Sequence, residues 1–276
     1  MNDKKQVAVI IPIYKAMLTD LEKISLAQCF RILSPYPIIV VKPNSLDISA
    51  ISGRELFSEI HSFEDSFFQG IKGYNELMLS PVFYKRFLDF EFILIHQLDA
   101  FVFRDELAVW CKKGYDYIGA PWLKFPASPD FVKAAKTRIK TYYYTFFNIY
   151  RNGLPCERQF DNMVGNGGFS LRRVNKFYHL AIKFKAKIDE YHQREEHQFN
   201  EDVFWSLEVN RKFNRLNIPG FKEALLFAFE NRVELSMFHT KNKIPFGCHA
   251  WDLHPEFWRP YIEEFGYKIP FLTESR

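Results

Sequence analysis

Two apolar runs constrain this chain more than any other feature. Val7 to Ile13 reads VAVIIPI and is mostly β-branched, while Glu91 to His96 reads EFILIH. Neither run alternates polar with apolar residues. A strand built from either is therefore buried on both faces, as in a parallel sheet covered by helices on each side. The first run closes at Pro12 and Tyr14 and leads into apolar positions recurring at three and four from about Leu18 to Leu33, which predicts a helix. Pro37 to Val41 repeats the strand signal and Lys42-Pro43-Asn44 ends it. The first forty residues thus open as a β-α-β unit, and the chain is read as α/β with a mixed, mostly parallel central sheet flanked by helices.

Further along, a helix is predicted from Tyr74 to Leu88 with a break at Pro81, after which EFILIH delivers Gln97, Leu98 and Asp99 at its carboxyl end. A short apolar run at Ala100 to Phe103, a helix near Asp105 to Lys113 and the turn-rich YDYIGAPW at Tyr115 to Trp122 follow. The composition then changes. Lys124 to Arg151 carries six basic residues against one acidic residue, Asp130, together with the rings of Tyr142, Tyr143, Tyr144, Phe146, Phe147 and Tyr150. Residues 124–160 are read as a basic aromatic insertion between the halves of one domain, about 1–123 and 161–276. The core resumes at Gly165-Asn166-Gly167-Gly168. A strand is predicted at Phe169 to Leu171, a helix from Asn175 to about Glu190 and a last helix at about Pro255 to Phe265.

With 37 Lys and Arg against 33 Asp and Glu, the net charge is +4, which argues against a nucleic-acid partner held by bulk electrostatics. No stretch approaches the roughly 20 apolar residues that span a bilayer, and the N-terminal apolar run is too short for a signal peptide. A cytoplasmic location is expected, with the insertion as a possible contact, through 124–151, with the inner membrane face; a solvated amphipathic helix explains the same residues. Cys29, Cys111, Cys156 and Cys248 show no metal-binding or disulfide spacing and are read as inert. Aromatic residues make up 18%, more ring surface than a core requires, so some rings are expected to line a groove.

Four short elements carry the chemistry. Asp99 stands at a strand end, where α/β sheets place ligand groups, although the same residue fits a plain turn cap. Gly165 to Arg173 (GNGGFSLRR) packs three glycines into four residues, allowing positive φ and close approach of the backbone to a ligand; a tight turn needs fewer. Asn200-Glu201-Asp202 precedes the helical run VFWSLEV, where acidic residues also suit a helix start. His249 lies in the aromatic loop PFGCHAW, a setting that equally fits a packed, hydrogen-bonded imidazole.

In this order the four elements resemble the GT-A fold of nucleotide-sugar-dependent glycosyltransferases, and most closely a bacterial glycosyltransferase-like group known mainly from sequence. The resemblance spans about residues 7 to 251. It aligns Asp99 with the first aspartate of the DxD motif, Gly165 to Ser170 with the glycine loop, Asn200-Glu201-Asp202 with the xED motif and His249 with the C-terminal histidine. It implies a nucleotide diphosphate sugar as donor, bound by Pro12, Ile13, Tyr14, Gln97, Asp99, Gly167 and Gly168, with Mn2+ or Mg2+ on Asp99 and His249. Asp202 is implied as the general base, which corresponds to inversion, whereas a retaining enzyme of the same fold would not need that base; Glu201 is implied as its acceptor-orienting neighbour or substitute. One departure matters: the motif reads Asp99-Ala100-Phe101, without the second carboxylate. Lys241, Lys243 and Arg172 are candidates to neutralise the diphosphate, and Trp122, Trp205 and Trp251 to pack on a sugar or fill the core.

Two functions follow as expectations. One is transfer of a sugar to a glycan or glycolipid acceptor in bacterial surface polysaccharide synthesis. The other, favoured by the missing carboxylate, is a catalytically silent nucleotide- or carbohydrate-binding relative.

Overall fold

The computed structural model describes residues 4–124 and 131–270. The first apolar run forms strand β1 (Lys5–Pro12) and the periodic run helix α1 (Asp20–Leu33). Thr19 and Glu22 cap α1 reciprocally: the Glu22 amide donates to Thr19 Oγ1 at 3.2 Å and the Thr19 amide to Glu22 Oε2 at 2.8 Å, satisfying two amides that the helix leaves unpaired. Next come β2 (Ile38–Pro43) and β3 (Glu59–Phe63). Helices α2 (Gly70–Leu79) and α3 (Pro81–Lys85) divide at Ser80, which caps α3, with Pro81 at the first helical position where its missing N–H costs nothing. The second apolar run is β4 (Phe90–His96), followed by β5 (Phe101–Val102), α4 (Leu107–Lys112), β6 (Tyr117–Ile118) and β7 (Pro121–Trp122).

Of the expected insertion, 125–130 lie outside the described residues. The remainder forms α5 (Phe131–Phe146) and a small hairpin of β8 (Tyr150–Arg151) and β9 (Leu154–Pro155), which pair only with each other. Then follow β10 (Met163–Val164), β11 (Phe169–Arg173), α6 (Val174–Lys183) and α7 (Lys185–His192), the last two dividing at Phe184 what the periodicity predicts as one helix. The xED segment opens α8 (Glu201–Val203), which continues as π-helical turns over Phe204–Glu208. The chain closes with α9 (Phe221–Phe227), β12 (Ala228–Phe229), α10 (Val233–Thr240), β13 (Gly247–Cys248) and α11 (Pro255–Glu263).

The main sheet runs β3-β2-β1-β4-β11-β6. Its first four strands are parallel and β11 is antiparallel to β4, so the expected mixed, mostly parallel sheet is present. Both faces of the two apolar strands are covered. Val7, Val9 and Ile11 of β1 join Phe92 and Leu94 of β4 in one core, while Ala8 and Ile10 join Ile93 and Ile95 in the other. This two-sided burial is why neither run alternates. A third core gathers Phe101, Phe103, Trp251 and Trp258 under the C-terminal segment. The register of β11 on β4 pairs Phe169 with His96, and the Gln97 amide donates to the Gly168 carbonyl at 2.9 Å. The end of the DxD strand and the glycine loop are thereby fastened side by side.

Candidate active site

The four motif elements meet on the glycine loop. None of Gly165, Gly167 and Gly168 has positive φ, contrary to the expectation for this loop. They are glycine because other motif side chains occupy the space of a Cβ. A Cβ at Gly168 would lie 2.0 Å from His249 Nε2 and 2.4 Å from Gln97 Oε1; at Gly167, 2.0 Å from Glu201 Oε1; at Gly165, 2.2 Å from Trp122 Cη2. The loop is an inner hub, and its close approach is to side chains of the protein itself.

At one end of the hub, His249 Nε2 faces Gln97 Oε1 at 3.0 Å and Asp99 Oδ1 at 3.2 Å. On the other side of the ring, Nδ1 faces Glu230 Oε1 at 3.2 Å and Asn166 Nδ2 at 2.9 Å. Asn166 locks this arrangement: its Nδ2 donates to Glu230 Oε1 at 2.6 Å, and its Oδ1 accepts from the amides of Gly168 and Phe169 at 3.0 and 3.1 Å. Burial opposes a charge on His249, but Asp99 and Glu230 outweigh it and push the imidazole up to about 10. Burial likewise works against the Asp99 carboxylate, and His249 nevertheless holds its pKa below the ordinary value. Ala250 takes a φ of 49°, a left-handed backbone uncommon for a residue with a Cβ. Through that turn His249 reaches Asp99 while Trp251 enters the third core, its indole donating to Ser25 Oγ at 2.8 Å.

Beside this cluster opens a cleft of about 380 Å³ lined by Pro12, Tyr14, Lys15, Thr19, Glu22, Gln97, Asp99 and Asp252. Pro12, Tyr14, Gln97 and Asp99 of the expected donor set thus share one cavity. Ile13 does not: its side chain is fully buried in the core of the sheet. Gly167 and Gly168 stand behind the cleft as the hub. Lys15, paired with Glu22 at 2.8 Å, is the lysine of this lining. A larger cavity of about 650 Å³, walled mostly by apolar residues such as Met17, Phe30 and Leu56, contains none of the motif residues.

A divalent ion prefers six or more hard ligands. Asp99 Oδ1 is buried and makes no well-aligned hydrogen bond, its neighbour being His249 Nε2 at 3.2 Å, with Glu230 behind the ring in the position of an orienting carboxylate. Among the described residues no three His, Cys, Asp or Glu side chains converge to hold a metal by themselves. The second DxD position cannot help, because Ala100 and Phe101 are fully buried and Phe101 belongs to the third core. The residues fit an ion shared with a bound diphosphate.

At the other end of the hub, Asn75 fastens the xED turn: its Nδ2 donates to Asn200 Oδ1 at 3.0 Å and its Oδ1 accepts from the Glu201 amide at 3.1 Å. Glu201 is buried and gives both carboxylate oxygens to Arg172, at 2.8 and 3.0 Å. Arg172, fully buried, also donates to Tyr84 Oη at 2.9 Å, Ser170 Oγ at 3.0 Å and the Gly167 carbonyl at 3.2 Å. This corrects two expectations. Glu201 does not present its carboxylate to an acceptor, and Arg172 is not free to meet a diphosphate. Asp202 is half-buried and faces a separate cavity of about 280 Å³ with Trp122, Glu157, Phe160, His197 and Asn200. Burial, then the charges of Glu201 and Glu230, raise its carboxyl to about 8.

Of the three tryptophans considered for sugar packing, Trp205 and Trp251 are fully buried core residues, while Trp122 is half-buried and lines the cavity with Asp202. Lys241 and Lys243 are exposed after α10 and line neither cavity. Sequence reasoning passed over Lys15, Glu230 and the ring-locking role of Asn166. Lys15 directly follows the β1 run, the one local signal among the three. Glu230 follows a two-residue strand too short to read.

The fold is shared with solved structures at low identity. The galactosyltransferase LgtC, in complex with donor and acceptor sugar analogs, aligns over 96% of this chain and 98% of its own with a TM-score of 0.52 and 11% identity. An active-site mutant of LgtC aligns over the same shares with a TM-score of 0.54 and 13% identity. Mouse xyloside xylosyltransferase 1 covers 88% of this chain and 97% of its own at 11% identity, but its TM-score of 0.48 is too low to add to the argument. The two LgtC likenesses establish a GT-A-type fold for the chain. No curated protein matches it by sequence. Residues 57–249, from just before β3 to His249 itself, match the family described as "Protein of unknown function (DUF5672)", and the chain belongs to that family.

Proposed function

We propose that this protein is a glycosyltransferase that moves a sugar from a nucleotide diphosphate sugar to a hydroxyl of a glycan or glycolipid, with inversion at the anomeric carbon. One observation carries the reading: a cleft with Asp99, Gln97 and Lys15 and a cavity with Trp122 and Asp202 lie at the two ends of a single four-residue loop, Gly168 abutting Gln97 and Gly165 abutting Trp122. Transfer needs that division. Negative charge grows on the leaving diphosphate, and positive groups beside it lower the barrier; the acceptor hydroxyl must lose a proton to a carboxylate on the far side of the sugar.

Pro12 and Tyr14 border the space for the nucleotide, Lys15 faces the diphosphate, and His249 stands behind Gln97 and Asp99. Asp99 and Gln97, and His249 once its Nε2 gives up its proton, would hold Mn2+ or Mg2+ together with the diphosphate, and such an ion would supply further neutralising charge. Asp202 accepts the acceptor proton. With its carboxyl raised to about 8, it carries a proton at neutral pH and gains base strength as that proton leaves. Glu201 and Arg172 act through Asp202 and the hub, as positioning residues. A role in bacterial surface polysaccharide synthesis at the cytoplasmic membrane face fits a chain whose described residues include no helix able to cross a bilayer and whose α5 exposes Ile139 and Tyr142 among basic residues.

A second reading, a catalytically silent binder of the donor nucleotide or a carbohydrate, is favoured by the buried Phe101 at the second DxD position. Turnover of a set of nucleotide sugars decides between them. Transfer or donor hydrolysis should rise with pH through about 8 and fall about 10²- to 10⁴-fold in Asp202→Asn, with nucleotide binding by calorimetry unchanged. Nucleotide binding without any turnover would leave the silent binder.

A further inference from the structure

The cavity at Asp202 has a character that names what it accepts. Of the five tryptophans, Trp110, Trp205, Trp251 and Trp258 are buried; Trp122 is half-buried and forms one wall. Phe160 meets it edge-on at 5.9 Å and 83° and forms another. Gly165 fixes the indole from behind, since any side chain there would strike it. Asp202 and Glu157 supply carboxylates, and His197, paired with Glu157 at 3.0 Å, and Asn200 complete the polar lining. No lysine or arginine is among the described residues that line it. Nearby, Lys124 is held in an ion pair with Asp161.

An aromatic wall facing carboxylates suits a pyranose, whose C–H face packs on a ring while its hydroxyls donate to acidic oxygens. The same lining disfavours an anion, because a carboxylate or phosphate placed here meets the Glu157 carboxylate and a protonated Asp202 that offers no compensating charge, with no lysine or arginine among the described lining residues. We propose that this cavity is a subsite for a neutral hexopyranose, stacked on Trp122, and that it discriminates against uronic acids and phosphorylated sugars. The inference rests on the transferase reading only in naming that ring as the acceptor.

The test is saturation-transfer NMR of the full chain with methyl glucopyranosides, galactopyranosides and mannopyranosides, and with methyl glucuronide as the anionic probe. At least one neutral glycoside should bind and the glucuronide should bind at least tenfold more weakly. Trp122→Ala should weaken the neutral ring at least tenfold, and Trp122→Phe should retain most of the binding. Glu157→Lys, at an exposed rim position, should narrow the gap between neutral and anionic rings. Equal binding of glucuronide by the wild type, unchanged binding by a folded Trp122→Ala, or no binding of any neutral glycoside would each overturn the proposal. Circular dichroism of each variant separates a lost subsite from a lost fold. Nucleotide binding measured on the same samples separates the two readings. Nucleotide without glycoside binding removes the subsite and leaves the donor site, whereas glycoside without nucleotide binding leaves a carbohydrate site and removes the transferase.

Discussion

Arg172 shows how one residue can hold the site without touching a substrate. It is fully buried, and its guanidinium spans Glu201, Tyr84, Ser170 and the Gly167 carbonyl, so β11, the glycine loop and the xED turn are tied at one point. A buried pair of this kind adds little net stability against an apolar replacement, but removing one partner strands a charge and costs about 3–5 kcal/mol. Arg172→Met is therefore expected to lower the denaturant midpoint sharply, and Arg172→Met with Glu201→Leu to recover much of the loss; a double variant no more stable than the single one would contradict this account of the pair. The sequence disclosed Arg172 and Glu201 as candidates but not as partners, since 29 positions separate them and only the antiparallel placement of β11 brings them together. The same holds for Asp99 and His249. Each is legible as a residue type at a suggestive position, and the opposite charge that holds its protonation against burial is not.

Among elements, those that bury both faces were legible and those that are short or exposed were not. β1 and β4 announce themselves because two-sided burial demands continuous apolar runs. β3 has an exposed burial pattern at the sheet edge and gives no such run, and β12 and β13 have two residues each. The glycine loop is legible in position but not in cause: three glycines in four residues suggest backbone freedom and a closely approaching ligand, whereas side chains of the protein itself crowd the loop from three directions. That crowding makes the two ends of the loop separable by mutation. Gly168→Ala pushes on His249 and Gln97 and should weaken nucleotide binding about tenfold or more, while Gly165→Ala pushes on Trp122 and Ser206 and should leave it near the wild-type value. Calorimetry with a nucleotide diphosphate and Mn2+ measures both. Equal losses in the two variants would mean that the loop responds as one unit and does not divide the sites.

For the molecule as a whole, the aromatic excess turns out to be mostly structural. Trp205, Trp251, Trp258 and many phenylalanines are fully buried, and the third core, rich in rings, seats the loop that carries His249. The cleft proposed for the donor is assembled from three distant parts of the chain: the stretch from the end of β1 into α1, the end of β4 and the segment around Trp251 and Asp252. The Trp251 amide donates to the Asp99 carbonyl at 3.2 Å, joining the last two of these parts. A ligand in this cleft contacts all three and stabilises only the folded chain, so its binding must appear as thermal stability. At a nucleotide diphosphate concentration 100 times Kd, with Mn2+ present, linkage predicts about 2.7 kcal/mol, or a rise in Tm of about 5–10 °C for a chain of this size. Asp99→Ala should remove most of that rise, because it takes away the carboxylate that fixes His249 and faces the diphosphate, while the unliganded Tm moves by less than the ligand shift. A Tm that ignores every nucleotide diphosphate in the wild type, with and without the ion, would show that the three parts enclose no nucleotide site, and the transferase reading would fall with it.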